Sequence, residues 1–99
     1  MSIMATQLDP AGVMPGAILN AADFRGVRVL EVGAGDGRLT FQYSDEARSV
    51  VGIDTNELDI RSAQSANAGQ RDVQFTCASA AVLPFPAERF GIVLFASSL

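Results

Sequence analysis

The sequence predicts an α/β domain built on a doubly wound parallel sheet, and three observations carry that prediction. Four short runs rich in β-branched residues alternate with segments of helical character. A glycine-rich turn links the first run to the first helix. The last run, Ile92 to Phe95, is apolar at every position, as in a strand buried on both faces. Right-handed crossovers between such strands place helices on both sides of the sheet.

The elements follow in order. Residues 1–14 read as a flexible segment, with no sustained period and with Pro10 and Gly12 as punctuation. A short helix is expected over 15–23, opened by Pro15, whose missing N–H costs little in a first turn. Val27 to Val32 is the first strand, and Gly33-Ala34-Gly35-Asp36-Gly37 is a tight loop after it. Arg38 to Ser44 forms a short helix with Leu39 and Tyr43 on one face. Ser49 to Ile53 is the second strand, ending at Asp54. Thr55 or Asn56 caps a helix that runs to Ala66, with Glu57 and Arg61 spaced for an i,i+4 pair. Val73 to Cys77 alternates as the third strand. Ala78 to Arg89 is mainly loop, and Leu83-Pro84-Phe85-Pro86 reads as a rigid loop packing Phe85 on the core.

Composition narrows the function. The chain of 99 residues carries a net charge of −4 and is 48% apolar, enough for a core and too apolar for a disordered segment. Its acidic balance argues against a nucleic-acid groove or an anionic membrane surface. All 7 basic residues are Arg, and without His no imidazole base, nucleophile or metal ligand is available. The lone Cys77 excludes an internal disulfide and a multi-cysteine zinc site, and it reads as a small buried residue. No metal site is expected. No run approaches the roughly 20 apolar residues of a spanning helix, and no basic n-region opens the chain, so a cytoplasmic setting is the default.

The informative segment is Val29-Leu30-Glu31-Val32-Gly33-Ala34-Gly35-Asp36-Gly37. Glycine lets a chain turn sharply and lets a ligand approach without a Cβ between them. The third glycine arrives one residue too early for the dinucleotide fingerprint. Glu31 and Asp36 then crowd the place a pyrophosphate would take, so a cationic or zwitterionic ligand suits the loop better. Asp54, 17 residues after Gly37, can accept both hydroxyls of a ribose. Taken alone, it reads equally well as a cap for the next helix.

These residues resemble class I S-adenosylmethionine-dependent methyltransferases. Val29 to Gly37 is similar to their E/D-x-G-x-G-x-G loop, and Val51-Gly52-Ile53-Asp54 to their acid after strand two. Ala78 to Val93 resembles the L-P-F segment of ubiquinone/menaquinone-type enzymes, with residues 15–99 covered overall. The resemblance implies a Rossmann-like fold and S-adenosyl-L-methionine as cofactor. It implies that Gly33, Ala34, Gly35 and Gly37 form the loop under the methionine and ribose, and that Glu31 orients that loop or reaches the amino group through water. Asp54 is implied to bind the ribose and Thr55 to pack near the adenine. Ser79 and Ala80 are implied to line the adenine edge, and Ala96 to border the sulfonium and the substrate. The acceptor is expected to be a small molecule; no catalytic residue is assigned.

Two positions depart from the family pattern: Ser79 stands where an acid is frequent, and Gly91 where Asp usually precedes strand four. The chain also supplies about four strands, in the expected order 3-2-1-4, where the family's sheet is longer. Residues 15–99 are therefore expected to be a partial, N-terminal portion of such a domain. Ile92 to Phe95 should then be an exposed apolar edge, open to self-association or to a partner chain. The alternative reading is a truncated, non-catalytic module that binds the cofactor weakly or not at all and pairs through that edge.

Overall fold

The structure is a computed structural model that describes residues 2–4, 24–82 and 89–96. The helix expected over 15–23 and the Leu83–Pro86 loop lie outside the described residues. The strands are β1 (Ser2–Met4), β2 (Arg28–Val32), β3 (Ser49–Asp54), β4 (Val73–Cys77) and β5 (Ile92–Phe95). The helices are α1 (Thr40–Tyr43) and α2 (Glu57–Ala66). All strands pair in parallel in the order β1-β5-β2-β3-β4. Counted over the four predicted strands, that is the expected 3-2-1-4 order, in a Rossmann-like α/β sheet.

One expectation is overturned at the edge. Ser2, Ile3 and Met4 pair with Ile92, Val93 and Leu94, so the outer side of β5 is covered by the chain's own N-terminus. Three residues carry no readable period, and this strand exists because β5 offers a row of free backbone groups for it to join.

Side-chain parity divides the sheet into two faces. Val29, Val50, Val73, Phe75, Ile92 and Leu94 point to the helical side, where they bury Leu39, Tyr43, Ile60 and Ala63. The rings of Phe24 and Tyr43 stack there with centroids 4.4 Å apart. Leu30, Ile53, Phe90 and Val93 form a smaller cluster on the opposite face. Gly52 opens a gap in β3 that Phe75 and Ala34 fill; a Cβ there would stand 2.8 Å from Phe75 and 2.9 Å from Ala34.

Helix α2 starts at Asn56, whose side chain accepts from the Asp59 N–H at 3.1 Å, with Glu57 and Asp59 in the first turn, where the helix dipole favours acids. The Glu57–Arg61 pair forms at 2.9 Å. Gln64 and Asn67 donate to the carbonyls of Phe75 and Val73, tying the helix to β4. Helix α1 is a single turn, shorter than expected. Gly37 holds φ at +88°, outside helical space, and the Arg38 N–H bonds to the Asp36 side chain at 3.1 Å instead of entering a helix. Among the described residues no helix is long and apolar enough to cross a membrane.

Candidate functional site

The carboxyl ends of β2, β3 and β4 meet where the glycine loop turns back into α1. Val32, Gly33, Ile53, Asp54, Thr55, Ala78 and Ala80 line a cleft of about 150 Å³ there. The loop is fixed from below by one carbonyl: Ile53 O accepts from both Gly33 N–H (2.9 Å) and Ala34 N–H (3.0 Å).

Asp54 locks the loop to the second strand. Its Oδ2 accepts from the Gly35 N–H at 2.9 Å, and its Oδ1 accepts from the Asn56 N–H at 2.8 Å. A carboxylate offers about four acceptor positions, so two remain for a ligand after the backbone has oriented the group. The glycine loop and Asp54 therefore do lie side by side. The helix-cap reading of Asp54 also has substance, since its Oδ1 closes the turn that leads into α2; its Oδ2 bond to the loop goes beyond what a cap requires.

The three loop glycines differ in purpose. A Cβ on Gly33 would sit 2.0 Å from the Ala96 carbonyl oxygen, and one on Gly37 would sit 2.7 Å from Phe41 and 3.1 Å from Phe75. At Gly35 the nearest atom to such a Cβ is Asp59 Oδ2, at 4.0 Å. All three have positive φ. Gly33 and Gly37 are thus needed by the protein's own packing, whereas Gly35 leaves open space above the backbone.

Glu31 is not in the cleft. Its parity turns it to the helical face, where it is completely buried and accepts from Thr40 Oγ1 at 3.0 Å and Tyr43 Oη at 2.5 Å. Burial raises its carboxyl from 4.5 to about 7, against the two hydrogen bonds, which lower it. The Tyr43 hydroxyl is held strongly in its neutral form by burial and by the Glu31 charge. Among the described residues Glu31 Oε2 has no hydrogen-bond partner. Asp36 is partly exposed and paired with Arg38 at 3.3 Å. The two acids expected to crowd the ligand thus point elsewhere, and the carboxylate lining the cleft is Asp54.

Of the other expected residues, Thr55 and Ala80 line the cleft. Ser79 is exposed and its hydroxyl accepts from the Ala81 N–H at 3.1 Å, serving its own turn. Ala34 is buried against Gly52. Ala96 donates its N–H to Val32 O and crowds Gly33 with its carbonyl. Val32, Ile53 and Ala78 also line the cleft and were not singled out from the sequence; apolar and unremarkable in type, they carry no chemical signal. Cys77 is exposed, not buried as expected, with its thiol 3.6 Å from the Thr55 carbonyl oxygen. It shares parity with Val73 and Phe75 but is the last residue of β4.

Known proteins place this arrangement. Residues 29–99 match the methyltransferase domain family, and the chain belongs to that family. An uncharacterized methyltransferase of Bacillus subtilis, YcgJ, is 30% identical over 81 residues, which are 79% of this chain and 32% of the relative. The crystal structure of YcgJ superposes with a TM-score of 0.74 over 82% of this chain and 36% of that one. A Haemonchus contortus phosphoethanolamine N-methyltransferase, solved with phosphoethanolamine and S-adenosylhomocysteine, gives 0.74 at 26% identity, over 82% of this chain and 18% of that one. A dimethyladenosine transferase from Plasmodium falciparum gives 0.72 at 25% identity, over 83% and 30%. The chain spans about a third of the length of its curated relative.

Proposed function

We propose that the cleft holds the nucleoside part of S-adenosylmethionine, and that this chain is the cofactor-binding portion of a methyltransferase acting on a small-molecule acceptor. One observation carries the reading: Asp54 is oriented by the Gly35 and Asn56 N–H groups at the rim of a cleft to which the loop contributes Gly33, a residue without a side chain. The residues present fit such a ligand. The free acceptor positions of Asp54 suit ribose hydroxyls and disfavour a pyrophosphate. The open space at Gly35 admits an approach that a Cβ would hinder. The small side chains of Ala78 and Ala80, with Val32 and Ile53, give an adenine apolar contact.

When bound, the cofactor supplies an electrophilic methyl group, so most of the chemistry belongs to it. This chain's residues bind and orient. Asp54 is the one titratable side chain lining the cleft among the described residues, and its assigned work is binding. Glu31, Thr40 and Tyr43 secure α1 beneath the loop, which keeps the glycine turn in place.

A second reading, a non-catalytic module that binds the cofactor weakly or not at all, draws on the size of the cleft. At about 150 Å³ it is smaller than the roughly 300–1,000 Å³ of most small-molecule pockets. Calorimetric titration with S-adenosylhomocysteine tests binding. Saturable heat in the wild type that disappears in Asp54→Ala supports the site, whereas equal heat in both rejects it. Saturable NADH fluorescence, lost in the same variant, would point instead to a dinucleotide.

A further inference from the structure

A second concavity lies on the sheet face opposite the helices, from the amino ends of β2 and β3 along β4 to Thr76. Arg28 of β2, Ser49 and Val51 of β3, Gln74 and Thr76 of β4, and Arg89 and Phe90 before β5 line a groove of about 580 Å³. β3 runs from this groove at Ser49 to the cleft at Asp54, five strand steps or about 16 Å away. Among the described residues none lines both the groove and the cofactor cleft.

The groove is a polar stretch beside the apolar cluster of Leu30, Ile53 and Val93 on the same face. Parallel sheets are usually apolar on both faces. Here the helical face carries Val29, Val50, Val73 and Phe75, while their neighbours facing the groove are Arg28, Ser49, Gln74 and Thr76. Among the described residues no acid lines the groove, although the chain has 11 acids and a net charge of −4. Arg38 and Arg61 pair with Asp36 and Glu57. Arg28 and Arg89 form no ion pair or side-chain hydrogen bond among the described residues. Two forked cations therefore share a groove with hydroxyl and amide groups and with an apolar wall of Val51 and Phe90. Its volume falls in the range of small-molecule sites.

We infer that this groove binds a small organic oxyanion, a phosphate ester or carboxylate with an apolar body, through Arg28 and Arg89. The guanidiniums take the oxyanion in charge-assisted hydrogen bonds. Ser49, Thr76 and Gln74 complete its polar contacts, and Val51 with Phe90 takes the apolar part.

The test is an amide-resolved NMR titration of the full chain with phenyl phosphate, benzoate, inorganic phosphate and a poly-glutamate peptide. Phenyl phosphate or benzoate should shift the Ser49, Gln74 and Thr76 amides saturably and leave Gly35 and Asp54 unmoved; the tighter of the two identifies the oxyanion. Each of Arg28→Gln and Arg89→Gln should weaken that binding about tenfold, the loss of one charge-assisted contact, and Asp54→Ala should leave it unchanged. Both arginines are exposed, so the variants should keep the wild-type fold, checked by their spectra. The proposal is overturned by no saturable shift with either aryl anion, by unchanged affinity in both arginine variants, or by inorganic phosphate binding as tightly. Poly-glutamate shifting the same amides where the aryl anions do not would overturn it in favour of a polypeptide partner.

Discussion

Alanine at Gly33 and alanine at Gly35 should fail in different ways, because the two glycines face different surroundings. At Gly33 the new Cβ meets the Ala96 carbonyl oxygen at 2.0 Å, where ordinary contact starts at 3.4 Å, so backbone must move by more than 1 Å. The residue is also held at φ +83°, a conformation costing about 1–3 kcal/mol for an L side chain. Together these give a loss of about 3 kcal/mol or more, a large part of the stability of a domain this size. That corresponds to a fall in Tm of about 12–24 °C. At Gly35 the φ of +57° is within left-handed helical space and the Cβ meets nothing closer than 4.0 Å. The strain of about 1–2 kcal/mol is partly offset by a stiffer unfolded chain. Gly35→Ala should therefore keep a Tm within about 8 °C of wild type yet lose affinity for S-adenosylhomocysteine, since its Cβ enters the open space above the loop. Thermal unfolding by circular dichroism and calorimetric titration read the two effects. If Gly35→Ala bound as tightly as wild type, or Gly33→Ala were as stable, the division of roles among the glycines would be wrong.

Three further outcomes are expected. Glu31 has its pKa raised by burial to about 7, so the folded protein holds a proton there that the unfolded chain releases near 4.5. Stability should then fall as pH rises from about 4.5 to 7 and stay lower above it, by about 3 kcal/mol in total. Glu31→Gln should flatten that profile in scanning calorimetry, and an undiminished slope would remove Glu31 as its source. Deleting residues 1–4 uncovers the Ile92–Phe95 edge, so sedimentation should show self-association absent from the intact chain; a monomeric deletion variant would contradict the role given to β1. Gly52→Val should unfold the domain by driving a side chain into Phe75 and Ala34, and a cooperative wild-type melt would refute that packing argument.

What could be read from the sequence was local or periodic. The strands of β2 to β5 showed as β-branched or apolar runs, and Asn56 as a cap followed by acids. The loop glycines and Asp54 announced themselves because few arrangements need both a bend free of side chains and an acid one strand away. Parity places Glu31 with Val29 on the helical face, a signal in the sequence that the acid's position in the motif overshadows. Other features depend on contacts far apart in the chain. The joining of Ser2–Met4 to β5 and the crowding of Gly33 by Ala96 leave no local pattern. Cys77, the last residue of β4, is exposed, and no propensity of cysteine reports this.

The most direct measurement is an amide-by-amide titration of the labelled chain with S-adenosylhomocysteine. Saturable shifts confined to Gly33, Gly35, Asp54, Thr55, Ala78 and Ala80 are the predicted result. Shifts at the far strand ends, around Ser49 and Gln74, with Gly35 and Asp54 unmoved, would contradict it.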